Sequence, residues 1–225
     1  MRLSGLKYLY FLMLWLPFYV FAESNKDRYS VVAIDYPPFT SPDLEDGGIA
    51  FRLLKEKLSH VDSSMLIPIF LPPKRALQTL ENPGWCMSFY PPPKSQRSQF
   101  VSLSNQVVQL GLFRIKQTGV FSWQSLSEFS GQSVALIRTD LEGPFAKQFI
   151  QAGMEVMLVD NLEVGLELLL KQRVDYTFGD KQFLNEVQQS NPTKDLSSVE
   201  FSSTYILETQ IGVYVEPRCQ MLFTR

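Results

Sequence analysis

The chain has 225 residues, of which 45% are hydrophobic, 20% charged and 13% aromatic. That balance belongs to a folded globular protein and excludes disordered, collagen-like and disulfide-dense chains. The formal net charge of -2 offers no basic surface for nucleic acid or an acidic membrane, and one His with two Cys falls short of a Cys/His zinc site.

Residues 1–22 read as a secretory signal. Arg2 and Lys7 give a short positive segment, and no charge follows from Tyr8 to Phe21. Val20-Phe21-Ala22 then sets small residues where a signal peptidase cuts, after Ala22. The apolar run is short for a span of about 20 residues, the alternative being an uncleaved anchor. Removing it takes away two cations and no anion, so the exported remainder is more acidic than the whole. Cys86 and Cys219 then meet an oxidising compartment, where they either pair or stay as buried thiols. Their separation in sequence leaves that choice to the fold.

Short apolar runs alternate with helical patterns along the rest. Tyr29 to Ile34 reads as a buried strand ended by Tyr36-Pro37-Pro38-Phe39. Gly47-Gly48 opens a helix with Ile49, Leu53, Leu54 and Leu58 on one face. A strand over Met65–Leu71 precedes a helix begun by Pro72-Pro73 and running to Glu81. Trp85 to Tyr90 reads as a third strand, stopped by Pro91-Pro92-Pro93. Val107 to Ile115 is a long apolar segment. Ser125–Phe129 is a short helix, Ser133–Ile137 a strand, Gly143–Ala152 a helix and Met154–Val159 a strand. Asn161 caps a helix carrying Leu162, Leu166, Leu169 and Leu170. Val174–Phe178, a helix over Lys181–Gln189, and strands at Thr204–Leu207 and Ile211–Val215 complete the chain.

Strands alternating with helices imply an α/β fold with mainly parallel sheets flanked by helices. The pattern occurs twice, from residue 29 to about 105 and from Ser125 to about 190. Two lobes joined by crossing hinge segments near Gly111 and Gly212 account for it. The lobes are residues 23–110, residues 111–211, and a return to the first over residues 212–225.

Ligands of such sheets bind beyond the carboxyl ends of the strands. There the sequence gathers Tyr36, Phe39, Tyr90, Arg97, Arg138, Thr139, Asp140 and Asp180. Arg97 can hold a carboxylate through two parallel N–H···O bonds, Asp180 can accept from an ammonium group, and the rings can cover a ligand body. Each has a plain alternative: a surface arginine of a Pro-rich loop, a cap on the helix after Lys181, a rigid turn at Tyr36–Phe39. Arg75 reads as structural, and His60 as a solvated helix-end cation. No Gly-rich phosphate loop or G-x-S-x-G elbow is present. Paired carboxylates remain open as catalytic groups, with Glu142, Asp140 or Asp46 as candidates.

In order along the chain, Asp35-Tyr36-Pro37-Pro38-Phe39 with Asp46-Gly47-Gly48, Pro72-Pro73-Lys74-Arg75, Lys94-Ser95-Gln96-Arg97 with Phe100 to Ser104, Ser125 to Ala135, and Arg173-Val174-Asp175-Tyr176 with Asp180 resemble the segments of type II periplasmic solute-binding proteins, bacterial family 3. The resemblance implies a two-lobe fold, periplasmic location, no cofactor, and capture of a small amino-acid-like solute by a monomer serving an ABC transporter or a sensor. It puts Arg97 at the ligand α-carboxylate, Asp180 at the α-ammonium, and Tyr36 and Phe39 on an aromatic wall. Arg138-Thr139-Asp140-Leu141 lacks the Gly then Ser or Thr common in the family, and Tyr90 with three prolines replaces Ser-x-(Ser/Thr) before the arginine. Alternative readings are an enzyme on the same scaffold, such as a small-acid dehydratase, and a truncated copy. A chain lacking the family's last helix predicts exposed apolar surface at Met221-Leu222-Phe223.

Overall fold

The computed structural model describes residues 28–224, so the signal reading of residues 1–22 lies outside the described residues. The strands are β1 (Tyr29–Ala33), β2 (Leu66–Phe70), β3 (Met87–Ser88), β4 (Gln99–Ile115), β5 (Ser133–Ile137), β6 (Glu155–Val159), β7 (Tyr176–Asp180), β8 (Val199–Phe201) and β9 (Leu207–Val215). The α-helices are α1 (Ile49–Lys57), α2 (Pro73–Leu80), α3 (Pro144–Gln151), α4 (Leu162–Leu170) and α5 (Phe183–Ser190). One continuous sheet runs in the order β2-β1-β3-β9-β4-β7-β5-β6, with β8 added against β4.

The pairings explain the two lobes. Both flanks are parallel: β1 with β2 and β3, and β5 with β6 and β7. The centre is antiparallel, because β9 pairs with β3 and β4, and β4 pairs with β7 and β8. β4 and β9 run together from one flank into the other. Their register shifts between Ser102 and Val107, which separates a stretch beside β3 from a stretch beside β7.

Each flank is covered on two faces, as period-two alternation requires. Val31 and Ala33 of β1 pack with Phe51 and Leu54 of α1. Val32 and Ile34 turn the other way, toward Ala76 and Leu80 of α2. In the second flank Val134 and Leu136 meet Phe149 of α3, while Ala135 and Ile137 meet Leu162, Leu166 and Leu169 of α4. Each such fully buried side chain contributes about 1.5–3 kcal/mol. The α4 pattern starts where Asn161 accepts a hydrogen bond from the Val164 N–H at 2.9 Å.

Several boundaries differ from the sequence reading. The expected strand over Trp85–Tyr90 is reduced to Met87–Ser88, because the Ser88 hydroxyl accepts from the Tyr90 N–H at 3.0 Å and donates to the Tyr90 carbonyl at 2.6 Å. That local turn replaces further ladder pairing. The apolar segment beginning at Val107 starts earlier, at Gln99, since β9 supplies a partner along its length. The two strands expected near the end are one, β9, and β8 was not expected.

Cys86 and Cys219 form a disulfide with Cα atoms 5.7 Å apart. It ties the residue before β3 to a 3-10 helix over Pro217–Phe223. Leu222 and Phe223 pack on the cluster that holds both cysteines, and only Met221 of the three stands exposed. The apolar surface expected at Met221-Leu222-Phe223 therefore shrinks to one side chain. The bridge spans 133 residues, so breaking it frees a long loop in the unfolded chain. Reduction, or replacing both cysteines by Ala, is expected to cost about 2–5 kcal/mol. Guanidinium melts with and without dithiothreitol measure it, and coincident midpoints would show that the bridge contributes nothing.

Candidate functional site

A cavity of about 680 Å³ opens between the two flanks. Its walls come from three places. After β1 stand Tyr36, Phe39 and Thr40; after β3 stand Phe89, Tyr90 and Pro91 to Lys94; the second lobe contributes Thr139, Asp140, Glu142, Phe145, Lys147 and Phe178. The crossing strands β4 and β9 complete it with Phe100, Val108, Leu110, Thr209, Gln210 and Tyr214.

Local sequence fixes these side chains. The loop carrying Phe39 closes onto the first turn of α1: the Pro38 carbonyl accepts from Ile49 N–H at 3.1 Å, and the Phe39 carbonyl from Ala50 N–H at 2.9 Å. Gly48 permits this at φ +100, where a Cβ would lie 2.7 Å from the Phe39 carbonyl oxygen. On the crossing strands Phe100 faces Tyr214 in register, with ring centroids 5.2 Å apart. The Phe100 ring lies over Gly212, whose missing side chain makes the space: a Cβ there would come within 2.2 Å of it.

Of the residues singled out in the sequence, Tyr36, Phe39, Tyr90, Thr139 and Asp140 line the cavity. Arg97 does not. It is exposed on the segment leading into β4, away from the wall. Asp180 is also off the wall, but for the opposite reason: it is fully buried at the end of β7. The structure thus brings five of the eight strand-end residues together; Arg138, which pairs with Asp160, and the two expected charged partners Arg97 and Asp180 stay out. Asp46 pairs with Lys55 at 2.7 Å on the surface, and Glu142, on the cavity rim, pairs with Lys147 at 3.0 Å.

Phe89, Phe100, Phe145, Phe178 and Tyr214 were missed. For Phe100 and Tyr214 the signal was non-local, since only the register of the crossing strands sets them together; Phe89, Phe145 and Phe178 come from the end of β3, from α3 and from β7.

Tyr36 touches both the cavity and Asp180. Burial, then the nearby Asp180 charge, holds its phenol well above the ordinary tyrosine range. Burial in turn pushes the Asp180 carboxyl up to about 6. One Asp180 oxygen accepts from the Gln182 N–H at 2.9 Å, as a cap on the approach to α5; the Tyr36 hydroxyl stands beside the carboxylate, and its hydrogen bonding offsets part of the cost of burial. Between the lobes the Tyr90 hydroxyl donates to the Arg138 carbonyl. Burial pushes the Tyr90 phenol up to about 12, so it remains a donor at neutral pH.

A carboxyl raised on folding binds its proton more tightly in the folded than in the unfolded chain. Asp180 is therefore tolerated best below the ordinary aspartate range. Its contribution worsens as pH rises from about 4 to about 6, then stays constant. Asp180→Asn keeps the acceptor for Gln182 and removes the ionisation. It is expected to be more stable than the parent by up to about 3 kcal/mol above pH 7 and equal to it near pH 4. Urea melts across that range test this; a constant difference between the two proteins would refute the buried-carboxyl account.

No protein-family model matches the sequence, and no curated protein matches it. Solved structures do match. Holo ArgBP from T. maritima is 18% identical with a TM-score of 0.61, over 87% of this chain and 85% of that chain. The GluR0 ligand-binding core from Nostoc punctiforme in complex with L-glutamate is 14% identical with a TM-score of 0.61, over 87% and 89%. The amino acid ABC transporter substrate-binding protein AbpA from Streptococcus pneumoniae, bound to L-arginine, is 14% identical with a TM-score of 0.63, over 88% and 85%. At such identities the likeness speaks for the fold, and the chain has the two-lobe fold of type II periplasmic binding proteins.

Proposed function

We propose that the chain is an exported solute-binding protein that captures a small molecule between its lobes. One observation carries this: a single cavity of about 680 Å³ is walled by both lobes and by the two strands that cross between them. That volume is in the range of small-molecule sites. The ligands named for the matched structures, arginine and glutamate, support the same use of the fold. A ligand touching both walls stabilises the closed arrangement by its differential affinity for it.

In this reading residues 1–22 are cleaved after Ala22, the product works in the periplasm as a monomer, and it hands its ligand to an ABC transporter or reports it to a sensor. Among the described residues no helix is long and apolar enough to cross a membrane. The lobes are residues 23–110, 111–211 and 212–225. The register shift between Ser102 and Val107 favours a β4 hinge somewhat ahead of Gly111. Tyr36, Phe39, Tyr90, Thr139 and Asp140 are the contacts from the two sides. An enzyme on this scaffold would need a desolvated carboxylate in the cavity. Glu142 is instead 85% exposed and ion-paired, which favours binding over catalysis.

Three outcomes test the proposal. Cell fractionation should recover the protein in the periplasm with Glu23 as its first residue; retention in the membrane at full length would refute export. Small-angle scattering should show saturable compaction on adding a bound solute. Tyr90→Phe, which removes the hydrogen bond to Arg138, should weaken the apparent affinity up to about tenfold through the loss of about 0.5–1.5 kcal/mol. Unchanged affinity and compaction in that variant would show that the bond plays no part in closure.

A further inference from the structure

A free amino acid offers two charged groups at one carbon. Moving them from water into a cavity requires fixed charged partners there. This cavity presents neither expected partner. Arg97 is exposed and off its wall, and Asp180 is wholly buried beyond it. Rings are presented instead. Tyr36 and Phe39 lie 6.0 Å apart on the first lobe, Phe100 and Tyr214 5.2 Å apart on the crossing strands, and Phe145 and Phe178 4.9 Å apart on the second lobe. Three aromatic pairs thus face one space from three sides. Phe100 and Leu207, both on its wall, are 42% and 47% exposed, which is apolar surface left open to water.

Four charged side chains reach the cavity: Lys94, Asp140, Glu142 and Lys147. Glu142 and Lys147 neutralise each other. One Asp140 carboxylate oxygen accepts from the Glu142 N–H at 2.9 Å, just ahead of α3. Lys94 makes no ion pair or hydrogen bond with another described residue, and it sits on the first lobe, across from the two acids. An apolar body with an anionic end at Lys94 therefore meets the rings and the unpaired ammonium together, whereas a small polar zwitterion, even one held between Lys94 and Asp140, leaves the rings uncovered.

Building on the solute-binding reading, we propose that the ligand is an aryl-substituted monocarboxylate. Its ring lies among the three aromatic pairs and its carboxylate meets the Lys94 ammonium. Offset and edge-to-face contacts hold the ring. The cavity volume exceeds what a single amino acid fills, which leaves room for a fused ring or an alkyl spacer.

Isothermal titration of the purified protein near neutral pH provides the test. The probes are 4-phenylbutyrate and 1-naphthylacetate, the neutral amide of each, L-arginine and L-glutamate. Saturable binding of the two carboxylates is expected, at least tenfold tighter than their amides and than either amino acid. Lys94→Gln should erase the preference for carboxylate over amide without changing amide binding, while Arg97→Gln should leave both as they are. Binding of arginine or glutamate without the aryl acids overturns the ligand class and leaves the solute-binding reading standing. Loss of anion preference in Arg97→Gln but not in Lys94→Gln overturns the Lys94 assignment. No saturable heat with any probe, in a protein that melts cooperatively, overturns the ligand class, and absence of ligand-driven compaction with a broader solute set would be the separate failure of the binding reading.

Discussion

The antiparallel pairing of β4 with β9 is the constraint on which the rest depends. Two strands that run side by side through both flanks make a single sheet serve two lobes. Their hydrogen-bond ladder fixes which side chains stand opposite each other, and that register puts Phe100 against Tyr214 over the bare backbone of Gly212. The floor of the cavity is thus a by-product of the joint. A change that slips this ladder by one residue would turn every floor side chain to the opposite face.

The junction also carries a cost that a plain joint would not. Asp180 ends β7 opposite Leu110 of β4, and its carboxyl is wholly buried there beside the Tyr36 hydroxyl. Burying such a group is unfavourable unless it is neutral or paired. Neutralising it by protonation is the easier course, which is why its carboxyl titrates high. Tyr36 shares the burial from the first lobe, so the two lobes meet through a polar contact between its hydroxyl and the Asp180 carboxyl. The Tyr90 hydroxyl, donating to the Arg138 carbonyl, is the second polar bridge between them.

Local periodicity made much of the scaffold legible. The alternation of Val31, Val32, Ala33 and Ile34, and the leucine stripe after Asn161, report structure within one turn or one pleat, and both appear where the pattern puts them. The ends of strands were legible too, because Pro and Gly stop ladders; this brought Tyr36, Phe39, Tyr90, Thr139 and Asp140 to one cavity. What local pattern does not encode is direction after a turn. Arg97 follows three prolines and precedes β4, so no period fixes its facing, and it points to solvent. Asp180 has the right address at a strand end, but its depth depends on Tyr36, distant in sequence. β8 and the joining of the last two strands depend on β4 as a partner, a non-local fact.

The bridge between Cys86 and Cys219 has a consequence for assembly. The second lobe is built from nearly consecutive chain, whereas β3 of the first lobe waits for Val215 to pair with Met87. A chain delivered from its N-terminus therefore has β1, β2, α1 and α2 in hand long before their sheet gains its neighbour β9. The middle of the chain can be finished while the beginning is still incomplete. The sulfur cross-link can form only once Cys219 has been made, 133 residues after Cys86, and it then closes that first lobe.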